Sequence, residues 1–268
     1  MGIFSGILIA SDLDGTLLCD DHTLSGQNRE AIAGFCAEGG LFTAATGRST
    51  AGVESLKLWE FANAPAVLSN GGVIYDYGLD KALFIDELKP ETKQAAADCA
   101  RRFPDTGMEI HCLDDIFVIN RSAAIESHLS RVRCVGKNVH GIGEAEGVWI
   151  KALFVDEPER LLPVKQYMDA AYGGQFSLVF SSPTLLELQN LGTDKAFGVG
   201  KLADILNIAR ENVCTVGDED NDLSMIKAFE GFATANATDE VKAAAAHLLP
   251  SCEEHAIAKM IEFLGGRL

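Results

Sequence analysis

The stretch Ile7–Thr16, I-L-I-A-S-D-L-D-G-T, runs from a short apolar segment directly into two aspartates and a glycine. The apolar part predicts a buried strand that ends in a loop. Open α/β sheets bind ligands at the carboxyl ends of their strands, so Asp12 and Asp14 are well placed for chemistry. Spaced by two, one can act as a nucleophile and the other as a proton donor to a leaving group. Taken alone, the pattern fits a solvated Asp-Gly turn equally well.

Three further polar clusters follow predicted strands or open predicted helices. Thr46-Gly47-Arg48 follows the strand Leu41–Ala45 and offers a hydroxyl and backbone amides near a helix start, an arrangement that suits phosphate. Lys195 opens a helix and supplies a compact positive charge. The loop 217–222 places four carboxylates within five positions after the strand Val213–Val216. Such crowding calls for a cation, and oxygen ligands point to Mg²⁺.

Composition limits the classes of function. The chain has 268 residues, 47% of them hydrophobic and 23% charged, which is ordinary for a globular protein. A formal charge of −17 disfavours binding to nucleic acid or to anionic membranes. Seven cysteines without a C-x-x-C pair indicate a reducing compartment, and the N-terminal apolar stretch is too short for a membrane span. We therefore expect a soluble, cytoplasmic chain, whose oligomeric state the sequence leaves open.

The order of predicted elements gives an α/β fold with an insertion. Strands and helices alternate up to about residue 82 and again from Lys195 onward, whereas paired strands between helices fill the middle of the chain. The sequence predicts a Rossmann-like core with a parallel sheet flanked by helices, formed by residues 1–82 and 184–268. Residues 83–183 are predicted to form an inserted α+β domain.

These motifs, taken together and in order, resemble the haloacid dehalogenase superfamily. The resemblance rests on D-L-D-G-T, A-T-G-R, the single downstream Lys195 and G-D-x-x-N-D, which span residues 12 to 222. The strings L-L-C-D-D-H-T-L-S, S-N-G-G and A-N-A agree with it. The insertion between the second and third motifs is similar to the type IIB (C2B) cap of the Cof-type phosphatases.

The resemblance implies a catalytic set. Asp12 would attack phosphorus and form an aspartyl-phosphate, while Asp14 would protonate the leaving alcohol and later activate water. Thr46 and the Gly47 amide would hold the phosphoryl oxygens. Lys195 would neutralise charge between the nucleophile and the phosphate, which also explains how an acidic protein can accept an anionic substrate.

The resemblance also implies a Mg²⁺ site. Asp12, the backbone carbonyl of Asp14 and Asp218 would hold the ion, and Asp222 would support it. Asn221 would contact phosphate or orient Lys195.

The remaining implied contacts with the substrate leave alternatives open. Asn70, from the S-N-G-G string, is expected to contact phosphate or substrate, and Arg48 either contacts substrate or starts a helix in solvent. Five residues of the inserted domain are candidates for recognising the leaving group: His111, Asp114, Asp115, Arg131 and Lys151.

Three places depart from the subfamily pattern, one of them the stretch 252–256, C-E-E-H-A, where an acidic turn followed by Gly-Val is usual. Ala196 follows Lys195 where glycine is usual, and Glu219 follows Asp218 where glycine is usual. Glu219 either tunes metal affinity or faces solvent.

Three functions fit the sequence. The first is a Mg²⁺-dependent phosphatase of small phosphorylated metabolites, with sugar phosphates as the favoured class. The second is a phosphomutase or phosphotransferase, in which another hydroxyl replaces water. The third is a regulator that binds a phosphorylated ligand without turnover, which the changes at Ala196 and Glu219 motivate.

Overall fold

The computed structural model describes residues 2–19, 22–54 and 56–267. Its strands are β1 (Leu8–Ser11), β2 (Leu41–Ala44), β3 (Ala66–Leu68), β4 (Val73–Asp76), β5 (Lys81–Ile85), β6 (Gly107–Cys112), β7 (Ile116–Ile119), β8 (Lys137–Asn138), β9 (Trp149–Val155), β10 (Phe176–Ser182), β11 (Leu185–Asn190), β12 (Val213–Gly217), β13 (Glu230–Ala233) and β14 (His247–Leu248).

Nine α-helices lie in the described part of the chain. They are α1 (Gly26–Ala37), α2 (Thr50–Glu54), α3 (Pro90–Arg102), α4 (Ala123–Arg131), α5 (Pro158–Tyr172), α6 (Lys195–Leu206), α7 (Leu223–Ala228), α8 (Asp239–Ala244) and α9 (Ala256–Gly265). Within the described residues, none is both long and apolar enough to cross a lipid bilayer.

The chain divides into two compact units. The first comprises Met1–Gly47, Lys57–Leu83 and Asp194–Leu268, and the second comprises Arg48–Leu56 and Phe84–Thr193. The predicted class, an α/β core with an additional α+β domain, is confirmed. The predicted return to the core at residue 184 differs from this division, because β11 pairs antiparallel with β9 and β10.

A parallel sheet forms the centre of the first unit. Its strand order is β14-β13-β12-β1-β2, with β1 paired in parallel to β12 on one side and to β2 on the other. All four residues of β1 are buried, as expected for a strand covered on both faces. The carboxyl ends of β1, β2 and β12 therefore lie side by side, and each is followed by one of the polar motifs.

Local signals in the sequence fix the helix starts. Ser25 caps α1 by accepting a hydrogen bond from the Asn28 amide, and Asp194 caps α6 by accepting from the Phe197 amide. The Asp194 cap makes Lys195 the first residue of α6. Pro90 and Pro158 occupy the first turns of α3 and α5, where a missing amide proton costs nothing.

The second unit contains a six-stranded sheet in the order β10-β11-β9-β6-β7-β8. A large apolar cluster joins its strands to α3 and α5, with Ala95, Phe154 and Leu161 among its buried members. A smaller cluster includes Ile125 and Leu129 of α4.

Some elements differ from the predictions. The sequence pattern predicts a helix around Thr50–Leu58, whereas α2 spans Thr50–Glu54. Lys57 lies in the left-handed region with φ of 49° before a short 3₁₀ turn, Leu58–Glu60. Strands β5, β8 and β14 were not predicted, and the last two have only two residues each. Such short segments are too brief to show a periodic pattern.

Buried charged groups lie on the six-stranded sheet. Glu109 accepts hydrogen bonds from His111 Nε2 (2.8 Å) and His128 Nδ1 (2.9 Å). Lys151 Nζ donates to Glu187 Oε2 at 2.9 Å. Two of the five candidates for leaving-group recognition, His111 and Lys151, thus belong to buried networks.

The His111 and His128 hydrogen bonds determine the acidity of Glu109. Burial alone would raise its pKa, but the two imidazoles outweigh burial and lower the pKa from 4.5 to about 2. A carboxyl group whose pKa is lower in the folded state stabilises the fold above its unfolded pKa, and loses this contribution as pH falls toward the folded value.

We predict that Glu109→Gln removes part of the acid sensitivity of the second unit. Between pH 6 and pH 3.5 the wild type should lose roughly 1–2 kcal/mol of unfolding free energy through this group, and the variant should not. Urea unfolding in a Trp59→Phe background, followed by Trp149 fluorescence, measures the difference. Glu91→Gln, at an exposed position on α3, is the control. Equal acid sensitivity of Glu109→Gln and wild type would contradict the prediction.

Candidate active site

The site is organised around a buried lysine between two aspartates. Lys195 Nζ lies 2.6 Å from Asp12 Oδ1 and 2.6 Å from Asp222 Oδ1. Lys195 is fully buried, although it begins a helix. Burial alone would lower its pKa, but Asp12 and Asp222 outweigh burial and raise it. Lys195 is therefore held as an ammonium ion beside the nucleophile that the sequence predicts.

Three buried carboxylates surround this ammonium ion. Oxygens of Asp12, Asp218 and Asp222 lie within 4.8 Å of one another. Burial and the like charges of Asp222 and Asp218 raise the pKa of Asp12, despite Lys195. Burial, together with Asp222 and Glu219, raises the pKa of Asp218 to about 7. Three carboxylates and one ammonium ion leave a formal charge of −2, which one divalent cation would neutralise.

The donor set fits a hard divalent cation. The three buried groups offer only carboxylate oxygens, which Mg²⁺ prefers in proteins. Gly15 makes room for the cluster, because a Cβ at this position would lie 2.3 Å from Asp218 Oδ2 and its φ is +84°. Thr16 Oγ1 donates to Asp218 Oδ1 at 2.5 Å and fixes this carboxylate.

Asp222 uses its two oxygens for different partners. Oδ1 binds Lys195, while Oδ2 accepts hydrogen bonds from the backbone amides of Asp218 (2.9 Å) and Glu219 (3.1 Å). Asp222 therefore shapes the loop that carries Asp218. Glu219 is exposed at the start of the 3₁₀ turn Asp220–Asp222 and forms a reciprocal cap with Asp222. The exposure matches the solvent-facing alternative for Glu219.

A group of polar residues lies beside the acidic cluster in the first unit. Thr46 is buried, and its carbonyl accepts a hydrogen bond from the Asn70 amide at 3.0 Å. Asn70 Oδ1 accepts from Asn221 Nδ2 at 3.2 Å. A Cβ on Gly47 would lie 3.0 Å from Asn70 Oδ1, so Gly47 and Asn70 are neighbours. Four predicted phosphate-binding residues are thus brought together.

Two predicted site residues have other surroundings. Asp14 is about 42% exposed, and its Oδ1 lies 3.3 Å from His22 Nδ1. Arg48 belongs to the second unit, where its Nη1 donates to the Gly52 carbonyl at 3.1 Å. This contact ties Arg48 to the Gly52 carbonyl within α2.

Two further residues support the site, although the sequence motifs predicted no role for them. Thr16 ends the D-L-D-G-T motif and holds Asp218, as described above. Asn236 Nδ2 donates to the Gly15 carbonyl at 2.8 Å and lies 3.5 Å from Asp218 Oδ2. Asn236 is the polar residue of the A-N-A string, and its position between two alanines was the feature of the sequence that could have pointed to a role in the site.

The known proteins to which this chain is similar include haloacid dehalogenase-like hydrolases and phosphatases. The sequence model of the haloacid dehalogenase-like hydrolases matches residues 9–261. The 5-amino-6-(5-phospho-D-ribitylamino)uracil phosphatase YcsE of Bacillus subtilis (strain 168) is 30% identical, over 95% of this chain and 94% of its own. A crystal structure of a haloacid dehalogenase-like hydrolase from Bacteroides thetaiotaomicron has a TM-score of 0.86 and 27% identity, covering 96% of this chain and 99% of that one.

A third similarity concerns the fold alone. The subclass IIB sugar phosphatase BT4131 has a TM-score of 0.83 at 20% identity, covering 97% of this chain and 99% of its own.

We predict that Lys195→Met strongly destabilises the first unit at neutral pH. Removing one partner of a buried ion pair leaves uncompensated charge and typically costs about 3–5 kcal/mol. The loss should shrink as pH is lowered, because protonation of the carboxylates removes that charge. Urea unfolding in metal-free buffer measures the effect, with Lys201→Met, exposed on the same helix, as the control. Similar losses in both variants would show that Lys195 has no special electrostatic role.

Proposed function

This chain belongs to the haloacid dehalogenase-like hydrolase family and is a phosphatase of small phosphorylated substrates, and from that premise we propose a specific reaction. The reaction is Mg²⁺-dependent hydrolysis of sugar phosphates through an aspartyl-phosphate on Asp12. The observation that carries the proposal is the buried Lys195 ammonium ion, 2.6 Å from both Asp12 and Asp222. It places fixed positive charge where a carboxylate nucleophile must meet an anionic phosphate.

Repulsion between nucleophile and substrate is the main obstacle to this reaction. Two like unit charges 4 Å apart repel by about 4 kcal/mol at an effective dielectric constant of 20. Lys195 reduces this repulsion through its contact with Asp12 Oδ1. We propose that Asp12, the backbone carbonyl of Asp14 and Asp218 hold Mg²⁺, which when bound supplies further positive charge to the transferring phosphoryl group. Asp222 orients the Asp218 loop through the two backbone amides.

The proposed chemistry has two steps. First, an Asp12 carboxylate oxygen attacks phosphorus, the bond from phosphorus to the leaving oxygen breaks, and Asp14 donates its proton to that oxygen. Second, Asp14 accepts a proton from water, the water oxygen attacks phosphorus, and the aspartyl–phosphorus bond breaks to release inorganic phosphate. Asp14 suits this exchange because its half-exposed carboxyl group can meet both substrate and water.

Phosphate recognition is proposed to come from the neighbouring polar group. Thr46 and the Gly47 amide would hold the phosphoryl oxygens, and Asn221 would contact phosphate. The hydrogen bond between Asn221 and Asn70 keeps both amides fixed at this position. Preorganised donors of this kind stabilise the charge that develops in the transition state. Arg48 stays a candidate for contacting the rest of the substrate.

We propose that the two units have different roles in the reaction. We assign the first unit to phosphoryl transfer as the catalytic core, and the second unit as the type IIB cap that selects the leaving group. Asp114, Asp115 and Arg131 remain candidates there, with Asp115 also 2.6 Å from Lys137 Nζ. The cytoplasmic location that we propose agrees with seven free cysteines, since reducing compartments preserve thiols.

The sugar-phosphate class is supported by the relatives. YcsE is named for a substrate with a phosphorylated ribityl chain, and BT4131 is described as a sugar phosphatase. Both names describe a phosphate ester of a polyhydroxylated carbon chain. We propose this class for the present chain.

We predict that phosphate release requires both Mg²⁺ and Asp12. Wild type should release inorganic phosphate from p-nitrophenyl phosphate and from members of a sugar-phosphate panel with Mg²⁺, and should lose this activity in EDTA. Asp12→Asn keeps the shape of the side chain and removes the nucleophile, so activity should fall at least about a thousandfold. Asp220→Asn, exposed in the neighbouring loop, is the control and should stay active.

The products of the same assay separate the alternatives. Formation of an isomerised sugar phosphate without inorganic phosphate would show that the chain is a phosphomutase rather than a hydrolase. Binding of the panel without any turnover in wild type would favour a regulator of phosphorylated ligands.

We predict that Asp14→Asn distinguishes leaving groups. Nitrophenolate leaves without protonation, whereas a sugar alkoxide needs a proton from Asp14. The loss of kcat/KM, which reports formation of the phosphoenzyme, should therefore be larger for a hexose phosphate than for p-nitrophenyl phosphate. For the hexose phosphate we expect a loss of about 10²–10⁴-fold, the range typical for removal of a general acid. Rapid quench after mixing with p-nitrophenyl phosphate should also trap phosphorylated Asp12. Equal losses for both substrates would exclude Asp14 as the acid.

A further inference from the structure

A second group of side chains with the chemistry of metal ligands lies in the first unit and shares no residue with the acidic cluster. Cys19 Sγ, Cys252 Sγ and a carboxylate oxygen of Glu253 lie within 4.8 Å of one another. Cys252 is buried, Cys19 is half-buried and Glu253 is exposed. Among the described residues, this group and the acidic cluster are the two sets of three or more ligands at such distances.

Each of the two cysteines lies at a hydrogen-bonded turn of the backbone. Cys19 directly follows the tight loop after β1, which is closed by hydrogen bonds from the Leu18 amide to the Leu13 carbonyl (2.7 Å) and from the Gly15 amide to the Leu18 carbonyl (2.8 Å). Cys252 begins the 3₁₀ turn Cys252–Glu254. The pair therefore does not depend on a long flexible segment.

Asn236 joins these two backbone segments. Its Oδ1 accepts a hydrogen bond from the Cys252 amide at 3.2 Å, and its Nδ2 donates to the Gly15 carbonyl at 2.8 Å. Ser25 Oγ and His255 Nδ1, 3.0 Å apart, make a second link between the same regions of the chain. The thiols are thus brought together by contacts that do not involve sulfur, as in a preformed site.

The three side chains form an electron-rich group. Burial raises the pKa of the Cys19 thiol, and the neighbouring Cys252 thiol and Glu253 carboxylate raise it further. When the thiols are ionised, the two thiolates and the carboxylate repel one another, and a cation bound between them would remove this repulsion. Thiolate sulfur prefers Zn²⁺ and similar soft or borderline ions, whereas Mg²⁺ prefers oxygen alone.

The distances suit such an ion. A Zn–S bond is about 2.3 Å long, so two sulfurs bound to one ion lie at most about 4.6 Å apart. The two sulfurs and the Glu253 oxygen lie within 4.8 Å of one another, which is compatible with this spacing.

We propose that Cys19, Cys252 and Glu253 form a site for a thiophilic divalent cation of the Zn²⁺ class, distinct from the Mg²⁺ site. Each thiol releases its proton to solvent when its sulfur binds the ion, and water completes the coordination. Affinity therefore rises with pH. The bound ion fastens the loop that carries Asp14 to the turn at Cys252, and Asn236 connects both segments to Asp218.

Cobalt spectroscopy of the reduced full-length protein tests the site. Co²⁺ bound to thiolate sulfur gives a near-ultraviolet charge-transfer band, which Co²⁺ at the oxygen-only acidic cluster lacks. We expect this band to saturate at one equivalent of Co²⁺ and to disappear when Zn²⁺ is added. Cys19→Ser and Cys252→Ser should abolish it, and Cys36→Ser, which alters a partly buried thiol of α1, should retain it.

A third variant separates binding from folding. Cys252 is buried, so Cys252→Ser is checked by circular dichroism and thermal unfolding. Glu253→Gln changes an exposed side chain and should leave the fold intact while weakening Zn²⁺ at least about tenfold, measured by competition with a chromophoric chelator. No band in reduced wild type, a band that survives Cys19→Ser, or unchanged Zn²⁺ affinity in Glu253→Gln would overturn the proposal.

Discussion

The contact of Lys195 with Asp12 and Asp222 is the interaction on which the rest of the site depends. A fully buried ammonium ion is costly unless its charge is matched, and two carboxylate oxygens at 2.6 Å match it. The carboxylates come from two different strand ends and the lysine from a helix start. Their charges therefore fix the relative positions of β1, β12 and α6. The negative charge that remains on the three carboxylates suits the same site to a divalent cation.

The sequence predicted the residues of this site because they follow strands directly. Asp12, Thr46 and Asp218 each come just after an apolar run, and parallel strands bring such positions to one edge of the sheet. The glycine-rich turn at Asn70 gave a similar local signal.

Features that depend on pairing between distant segments could not be predicted. The assignment of β11 to the second unit depends on its hydrogen bonds with β9, and an isolated apolar run carries no information about its partner strand. No sequence motif pointed to Glu109, which is a buried carboxylate that accepts hydrogen bonds from two histidines. The hydrogen bonds of Thr16 and Asn236 to Asp218 span 202 and 18 residues, and no spacing rule connects them. Arg48 was given two alternatives, contact with substrate or a helix start in solvent, and it lies two residues before the first residue of α2.

The division of the first unit into three stretches of sequence has a consequence for the order of synthesis. Asp12 and Lys195 are 183 residues apart, and β1 acquires its neighbour β12 only when Val213–Gly217 has been made. The longest stretch of the second unit, Phe84–Thr193, is continuous and leaves the ribosome earlier. At about 5–20 residues per second, β1 waits about 10–40 seconds for β12. A chain that terminates before residue 195 therefore carries Asp12 without the lysine that neutralises it.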